Sequence, residues 1–293
     1  MSLQSIMLNI NATISDYKRD REIPFPAHIS QCRNIVYTTH GHRHCKLDVY
    51  FPDGTTEPLP TIVSIHGGGY VYGSKEIYRR YGMDMARRGF SFVNFNYRLA
   101  PHHKFPAPLE DTNAVMEWIC ANAEKYHLDP NNIFLVGDSA GAQMACQYAA
   151  IWSNPAYAGH FSFKVAPVKL RALGLNCGLY DLSDFIGKKP TGLARDYLGA
   201  KPDWNDPRLK VLEAIGEGYP PTYLATGSHD FLRGNLRPMY EYLLSRNVRC
   251  AGRCYGAEED AYVGHVFHVD ITLPEADQCN DDECAWFRHF IEK

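Results

Sequence analysis

The chain has 293 residues, 45% of them hydrophobic and 22% charged, with a formal net charge of −3 and a sequence pI near 6.5. That length is large for one domain yet common for doubly wound α/β domains, and it allows a sizeable core. The slightly acidic balance gives no electrostatic reason to expect nucleic acid or an anionic membrane as a partner.

The opening MSLQSIMLNINATISDYKRD has no basic start followed by a sustained apolar core, and nowhere do eighteen apolar residues run together. Neither a signal peptide nor a membrane span is expected, which points to the cytoplasm. The first thirty residues read as a surface arm or a lid piece. NIVYTT and HCKLDVYFPDG look like a hairpin leading in. Buried strands are then expected at TIVSIH (61–66), FSFVNFNY (90–97), NIFLVGD (132–138), LRALGLNCG (170–178) and PTYLATGSHD (221–230), because each is a short β-branched or aromatic run. Helical patterns fall between them at Tyr78–Arg88, Leu109–His127, Ala140–Trp152 and Asn235–Arg246, with a last one near Asp281–Ile291. Strand alternating with helix implies an α/β fold with a largely parallel sheet covered on both faces. Residues 180–217 break the alternation as a polar insertion punctuated by Pro and Gly, with short helical pieces at Thr191–Leu198 and Pro207–Ile215. Its place suggests a lid over the C-terminal edge of the sheet, where open α/β folds bind ligands.

The nine cysteines are odd in number, scattered and without C-x-x-C pairing. Cys32, Cys45, Cys120, Cys146 and Cys177 stand in apolar or element-like runs, as buried thiols do, so a reducing compartment fits better than a disulfide framework. Asn11-Ala12-Thr13 matches the glycosylation sequon, a chance match where no export signal precedes it. No Cys/His spacing suggests zinc and no loop follows the phosphate-binding pattern, so neither metal nor cofactor is expected.

Gly137-Asp138-Ser139-Ala140-Gly141 follows a strand and opens a helix, the context a G-x-S-x-G elbow requires. Chance supplies such a motif in roughly one chain in ten of this length, so its surroundings must decide. HGGGYVYG (66–73) sits just after another strand, and by the same composition argument His-Gly-Gly-Gly is about fifty times rarer. A run of glycines costs backbone entropy and is tolerated where bare amides must approach something closely. The pair of motifs therefore suggests a serine nucleophile, Ser139, facing an oxyanion hole built from the amides of Gly68, Gly69 and Ala140. His66 itself reads as structural.

With NYRLAPHHKFPAPLED (96–111) and YPPTYLATGSHDFLRGNLRPMYEYL (219–243) added to these two blocks, the chain resembles the hormone-sensitive-lipase-like branch of the α/β-hydrolases, which are carboxylesterases and lipases. The resemblance runs over roughly residues 45–291 in the expected order. It implies an α/β-hydrolase domain spanning 1–293, with an eight-stranded, mostly parallel sheet and a small cap assembled from about 1–30 and about 180–217.

A serine hydroxyl needs a base, and the base needs an acid to orient its ring. In this fold the chain order is Ser, then Asp or Glu, then His. Asp230 ends the strand PTYLATGSHD at the sheet edge that carries Ser139, and it matches the family's acid. The competing role for Asp230 is an N-cap for the helix that follows. Asp181 and Asp184 also follow a strand, but there the insertion begins. Family members often carry a second acid four residues after the first; here that place holds Gly234. The family's His-x-Phe pattern falls on His265 and Phe267, with Val266 where glycine is usual, and His268 is the alternative base. Arg98 and Asp111 are expected to pair and hold loops near the site, and His102 and His103 to stay out of the chemistry.

The resulting expectation is a serine carboxylesterase acting on small, short-acyl esters through an acyl-enzyme, without a cofactor. The same three side chains would serve an amidase such as an arylformamidase, and a hydrolase-fold receptor that binds a small ligand without turnover is the remaining alternative. No nucleic acid or membrane partner is expected, and pairing of sheet edges into a homodimer is compatible with the sequence.

Overall fold

Alternation within the apolar runs sets the layers. Successive side chains of a strand point to opposite faces, so Val63 and Ile65 enter one core with Val93, Phe95, Ile133 and Leu135. Ile62, Phe92, Phe134 and Val136 enter another on the opposite side of the sheet. In the computed structural model, which describes residues 1–38, 42, 44–182 and 189–292, these runs form one eight-stranded sheet in the order β1-β2-β4-β3-β5-β6-β7-β8.

β1 (Ile29–Val36) and β2 (Lys46–Pro52) form the expected hairpin, although β1 starts five residues before NIVYTT. β2 pairs antiparallel with β4 (Ser91–Phe95). From β4 through β3 (Leu59–Ile65), β5 (Leu128–Asp138), β6 (Leu170–Asn176), β7 (Thr222–Gly227) and β8 (Cys250–Tyr255), every pairing is parallel. The first core packs under α3 (Ala107–Asn122), α4 (Ala140–Ser153), the short α5 (Pro155–Ala158) and α7 (Leu236–Ser245), the second under α2 (Arg79–Arg87) and α8 (Pro274–Arg288). α8 begins seven residues before the expected start. Pro274 at its first turn supplies the start signal, but the polar sequence after it shows no clear stripe.

The strand order reverses between β3 and β5. The chain leaves β3 toward β4 on one side and leaves β5 toward β6 on the other, which opens a crevice beyond the carboxyl ends of these two strands. The glycine loop after β3 and the turn after β5 both face this crevice.

The N-terminal arm is a helix, α1 (Leu3–Asp20), capped by Ser2, whose Oγ accepts from the Ser5 amide at 3.2 Å. Its inner face carries Leu8, Ala12, Ser15, Asp16 and Arg19 toward the crevice. Leu3, Ile6, Met7, Ile10, Ile14 and Tyr17 stay exposed. Apolar residues on both faces leave no single stripe for a periodicity search to find. Within the insertion, the expected piece at 191–198 is α6 (Gly192–Leu198), and the piece at 207–215 resolves into two short 3-10 turns, Pro207–Leu209 and Leu212–Ala214. The Asp196 carboxylate of α6 accepts from the Ser2 amide and the Ser5 hydroxyl, both at 2.6 Å, and so ties the two segments together. Asp184 lies outside the described residues.

Candidate active site

Ser139 stands at the junction of β5 and α4 with φ 53° and ψ −118°, a backbone conformation that L-residues rarely adopt and that surrounding structure must enforce. The enforcing elements are close. A Cβ on Gly137 would collide with the Gly141 carbonyl group, and one on Gly141 with the Ile65 carbonyl oxygen. The two glycines therefore let β5, α4 and the end of β3 approach to backbone contact. The Ser139 side chain makes no capping bond to α4, which leaves the hydroxyl for another partner.

That partner is His265, whose Nε2 lies 3.0 Å from Ser139 Oγ. Its Nδ1 lies 2.7 Å from Asp230 Oδ1. An ionised carboxylate only accepts, so Nδ1 carries the ring proton and Nε2 is left to accept from the serine. Asp230 is fully buried at its side chain, and His265 remains 23% exposed. Burial alone would raise the Asp230 carboxyl, but the His265 hydrogen bond and charge, the Leu232 amide and the Thr226 hydroxyl together hold it below the usual carboxylate range. Leu232 N donates at 2.9 Å and Thr226 Oγ1 at 2.8 Å.

The acid loop, which lacks a second carboxylate at Gly234, is braced by other means. Arg233 Nη1 donates to the Ser228 carbonyl at 2.5 Å, and Asn235 Nδ2 donates to the Gly178 carbonyl at 3.1 Å. α7 starts only at Leu236, so Asp230 caps the turn at Leu232 and not the helix itself. Val266, in the place where glycine was expected, takes φ 61°, and its amide donates to Cys177 Sγ at 3.3 Å. A buried thiol thus helps fix a left-handed β-branched residue beside the imidazole.

Gly68, Gly69 and Ala140 line one cavity with Ser139 and His265; its volume is about 570 Å3. Gly68 and Gly69 have φ of 108° and 57°, and the Gly68 carbonyl accepts from the Val71 and Tyr72 amides at 3.1 and 3.0 Å. The loop is thus a fixed turn. Leu8 of α1 and Leu193 of α6 cover it, since a Cβ on Gly69 would meet Leu193 at 3.0 Å and Leu8 at 3.1 Å. Leu179, Phe231 and Val266 add further apolar wall, and Asp16 and Arg19 bring charge. Phe231 packs against the His265 ring at 4.2 Å between centroids, the planes tilted by 42°.

The other sequence candidates separate clearly. His268 is buried with an unpartnered Nδ1, and burial lowers it to about 3. It packs edge-on against Tyr81 and is a core residue. His66 is buried, stacks on Tyr97 and keeps Nδ1 2.8 Å from the Gly67 carbonyl; burial lowers it to about 4, as a structural imidazole requires. Asp181 accepts from its neighbour, the Leu182 amide. Arg98 pairs with Asp111 as expected, with Nε at 2.9 Å from Oδ1 and the Arg98 amide donating to Oδ2 at 2.7 Å.

Sequence reasoning missed Tyr78 and the role of Asp138. The Tyr78 hydroxyl donates to Asp138 Oδ2 at 2.7 Å and accepts from the Gly67 amide at 3.2 Å. Burial pushes Asp138 up to about 7 against the opposing pull of Tyr78. No local pattern marks such a pair, because its members lie sixty residues apart. Among the described residues, Cys177, Asp230 and His265 gather their ligand atoms within 4.8 Å. Burial keeps the Cys177 thiol protonated, well above its ordinary range, and Asp230 already engages the imidazole, so this group suits proton handling better than metal binding.

The sequence profile of the alpha/beta hydrolase fold family matches residues 62–268. An acetyl esterase of Salmonella paratyphi B is 25% identical over 268 residues, covering 86% of this chain and 78% of its own. An acetyl esterase of Salmonella choleraesuis is 26% identical, with 84% and 79% covered. Among solved structures, a hyperthermophilic esterase of the archaeon Pyrobaculum calidifontis superposes with TM-score 0.71 at 26% identity, covering 95% and 90% of the two chains. Esterase B of Lactobacillus rhamnosis superposes with TM-score 0.85 at 21% identity, covering 96% and 92%, a likeness of fold.

Proposed function

The chain belongs to the alpha/beta hydrolase fold family, and from that premise we propose that it is a serine carboxylesterase that cleaves small, short-acyl esters through an acyl-enzyme. The observation that carries this reading is the unbroken line from Ser139 Oγ through both nitrogens of His265 to Asp230, at 3.0 and 2.7 Å.

His265 Nε2 takes the Ser139 proton as Oγ attacks the ester carbonyl, and Asp230 orients the ring and stabilises the imidazolium that forms. The carbonyl oxygen turns negative toward the amides of Gly68, Gly69 and Ala140, where one such donor supplies about 3–4 kcal/mol to the transition state. His265 then protonates the departing alcohol, and water repeats the sequence on the acyl-enzyme. Every proton and nucleophile in this scheme comes from the chain or from water.

The cap of this reading is formed by about 1–30 and about 180–217, and Leu8 and Leu193 above Gly69 support it. A cavity of about 570 Å3 suits short acyl groups. The acetyl esterases related to this chain and the tributyrin phosphonate bound by the Lactobacillus enzyme support the same size class. No described helix is long and apolar enough to cross a membrane, and the nine free cysteines fit the reducing cytoplasm.

Replacing Ser139 with alanine is expected to lower turnover of 4-nitrophenyl acetate by roughly a million-fold with the fold retained. The intact protein is expected to take a fluorophosphonate label that Ser139→Ala does not. Hydrolysis persisting in the variant would place the nucleophile elsewhere, and failure of the native chain to label would favour a receptor. A formanilide run beside esters of increasing acyl length separates amidase from esterase and checks the short-acyl preference.

A further inference from the structure

Three described histidines, His42, His44 and His103, meet at one corner away from the reacting serine. The sequence supplies two runs, His40-Gly41-His42-Arg43-His44 in the β1–β2 connection and His102-His103 in the β4–α3 connection. The fold brings them together: His42 Nε2 and His103 Nε2 lie 3.1 Å apart, their ring centroids are 4.7 Å apart, and the His44 ring is 5.5 Å from that of His42. None of these rings lines the cavity that holds Ser139.

We propose that His42 and His103, joined by His44, bind one divalent transition metal ion of the zinc, copper or nickel kind and so fasten the β1–β2 connection to the β4–α3 connection. Metal–nitrogen bonds of about 2.0–2.1 Å place neighbouring ligand nitrogens about 2.9–3.3 Å apart, and their rings about 4.5–5.3 Å apart. The His42–His103 pair already has both spacings. His44 is exposed, and its ring, 5.5 Å from that of His42, is the one ligand that has to turn inward. An all-imidazole donor set selects these metals over magnesium and calcium, which require oxygen.

Both ligand-bearing backbones are held before metal arrives. The His42 carbonyl accepts from the Cys45 amide at 2.9 Å, the His103 amide donates to the Leu99 carbonyl at 3.0 Å, and the Tyr37 hydroxyl donates to the Asn96 carbonyl at 2.6 Å. Only the lone pair of a neutral imidazole binds metal. The proton now shared between the two Nε2 atoms moves to Nδ1 of its own ring on loading. This exchanges the long 3.4 Å contact from the His44 amide to His42 Nδ1 for a metal–nitrogen bond, and no net proton is released.

The test is calorimetric titration of the full chain, without an affinity tag and stripped with chelator, using zinc chloride and then nickel chloride. One ion per chain is expected, with a rise in melting temperature on loading. His103→Ala and His42→Ala are each expected to weaken binding by roughly tenfold or more, while circular dichroism and hydrolysis of 4-nitrophenyl acetate stay those of the native chain. Absence of binding overturns the proposal. So does binding that survives both substitutions, or that disappears instead in His265→Ala, which would place the ion at Cys177, Asp230 and His265.

Discussion

The Tyr78 hydroxyl accepts from the Gly67 amide and donates to Asp138, so one oxygen links the glycine loop to the residue beside Ser139. Removing it in Tyr78→Phe takes a 2.7 Å donor from the buried Asp138 carboxyl and a 3.2 Å acceptor from the Gly67 amide. The expected cost is about 1–3 kcal/mol in urea unfolding. Because the proposed oxyanion donors Gly68 and Gly69 sit on the freed loop, kcat is expected to fall by roughly tenfold while KM for 4-nitrophenyl acetate changes little. A fall in stability with kcat preserved would reduce Tyr78 to a packing residue. At this scale the sequence was most informative where chemistry demands a fixed local pattern. Ser139 and its flanking glycines, the glycine run at 67–69 and the order Ser–Asp–His could be read directly. Tyr78, Phe231 and Cys177 could not, since each acts across a long span of chain through a contact that no spacing announces.

Asp196 of α6 holds the start of α1 by accepting from the Ser2 amide and the Ser5 hydroxyl. Burial raises that carboxyl, but the Ser2 amide and the Ser2 and Ser5 hydroxyls outweigh it and hold Asp196 below its ordinary value. A carboxyl lowered by folding contributes stability above the ordinary carboxylate range, and that contribution is lost as pH falls through the folded value. Acid is therefore expected to release α1 before the sheet melts. Asp196→Ala is expected to do the same at neutral pH, with faster amide exchange over residues 3–20 and a several-fold rise in KM at nearly constant kcat, because α1 walls the pocket and holds none of the reacting atoms. Exchange confined to other segments would detach Asp196 from this role. α1 also marks where element prediction failed. Its apolar residues are divided between the cavity and solvent, whereas the buried strands declare themselves by composition alone.

At the scale of the whole molecule, burial raises two interior carboxyls, those of Glu283 and Asp138. Burial pushes Glu283 up to about 7, with Asn176 donating to its Oε1 at 3.0 Å and its Oε2 unpartnered, and Asp138 is raised to about 7 as well. A carboxyl whose folded value is raised holds its proton in the folded state after the unfolded chain has lost it. Stability therefore declines as pH rises from the ordinary carboxylate range toward neutrality. Over the same range the buried His66 and His268, lowered to about 4 and about 3, act in the opposite sense, because only the unfolded chain takes up their protons. Glu283→Gln, which has no proton to lose, is expected to make urea unfolding relatively more costly at pH 8 than at pH 5 when set against the native chain, and an unchanged difference would locate the linkage elsewhere.

The placement of β3 between β4 and β5 also sets a sequence of events in time. The β3–β5 seam joins residues 59–65 to residues 128–138 and cannot close until the intervening strand and helix have been made. Parallel strands so far apart along the chain pair slowly, because the loop entropy is lost before the contacts form. The two halves of the site ride on opposite sides of that seam, so activity is expected to return late in refolding, after most of the secondary structure, and dilution is expected to favour recovery by limiting encounters between exposed edges.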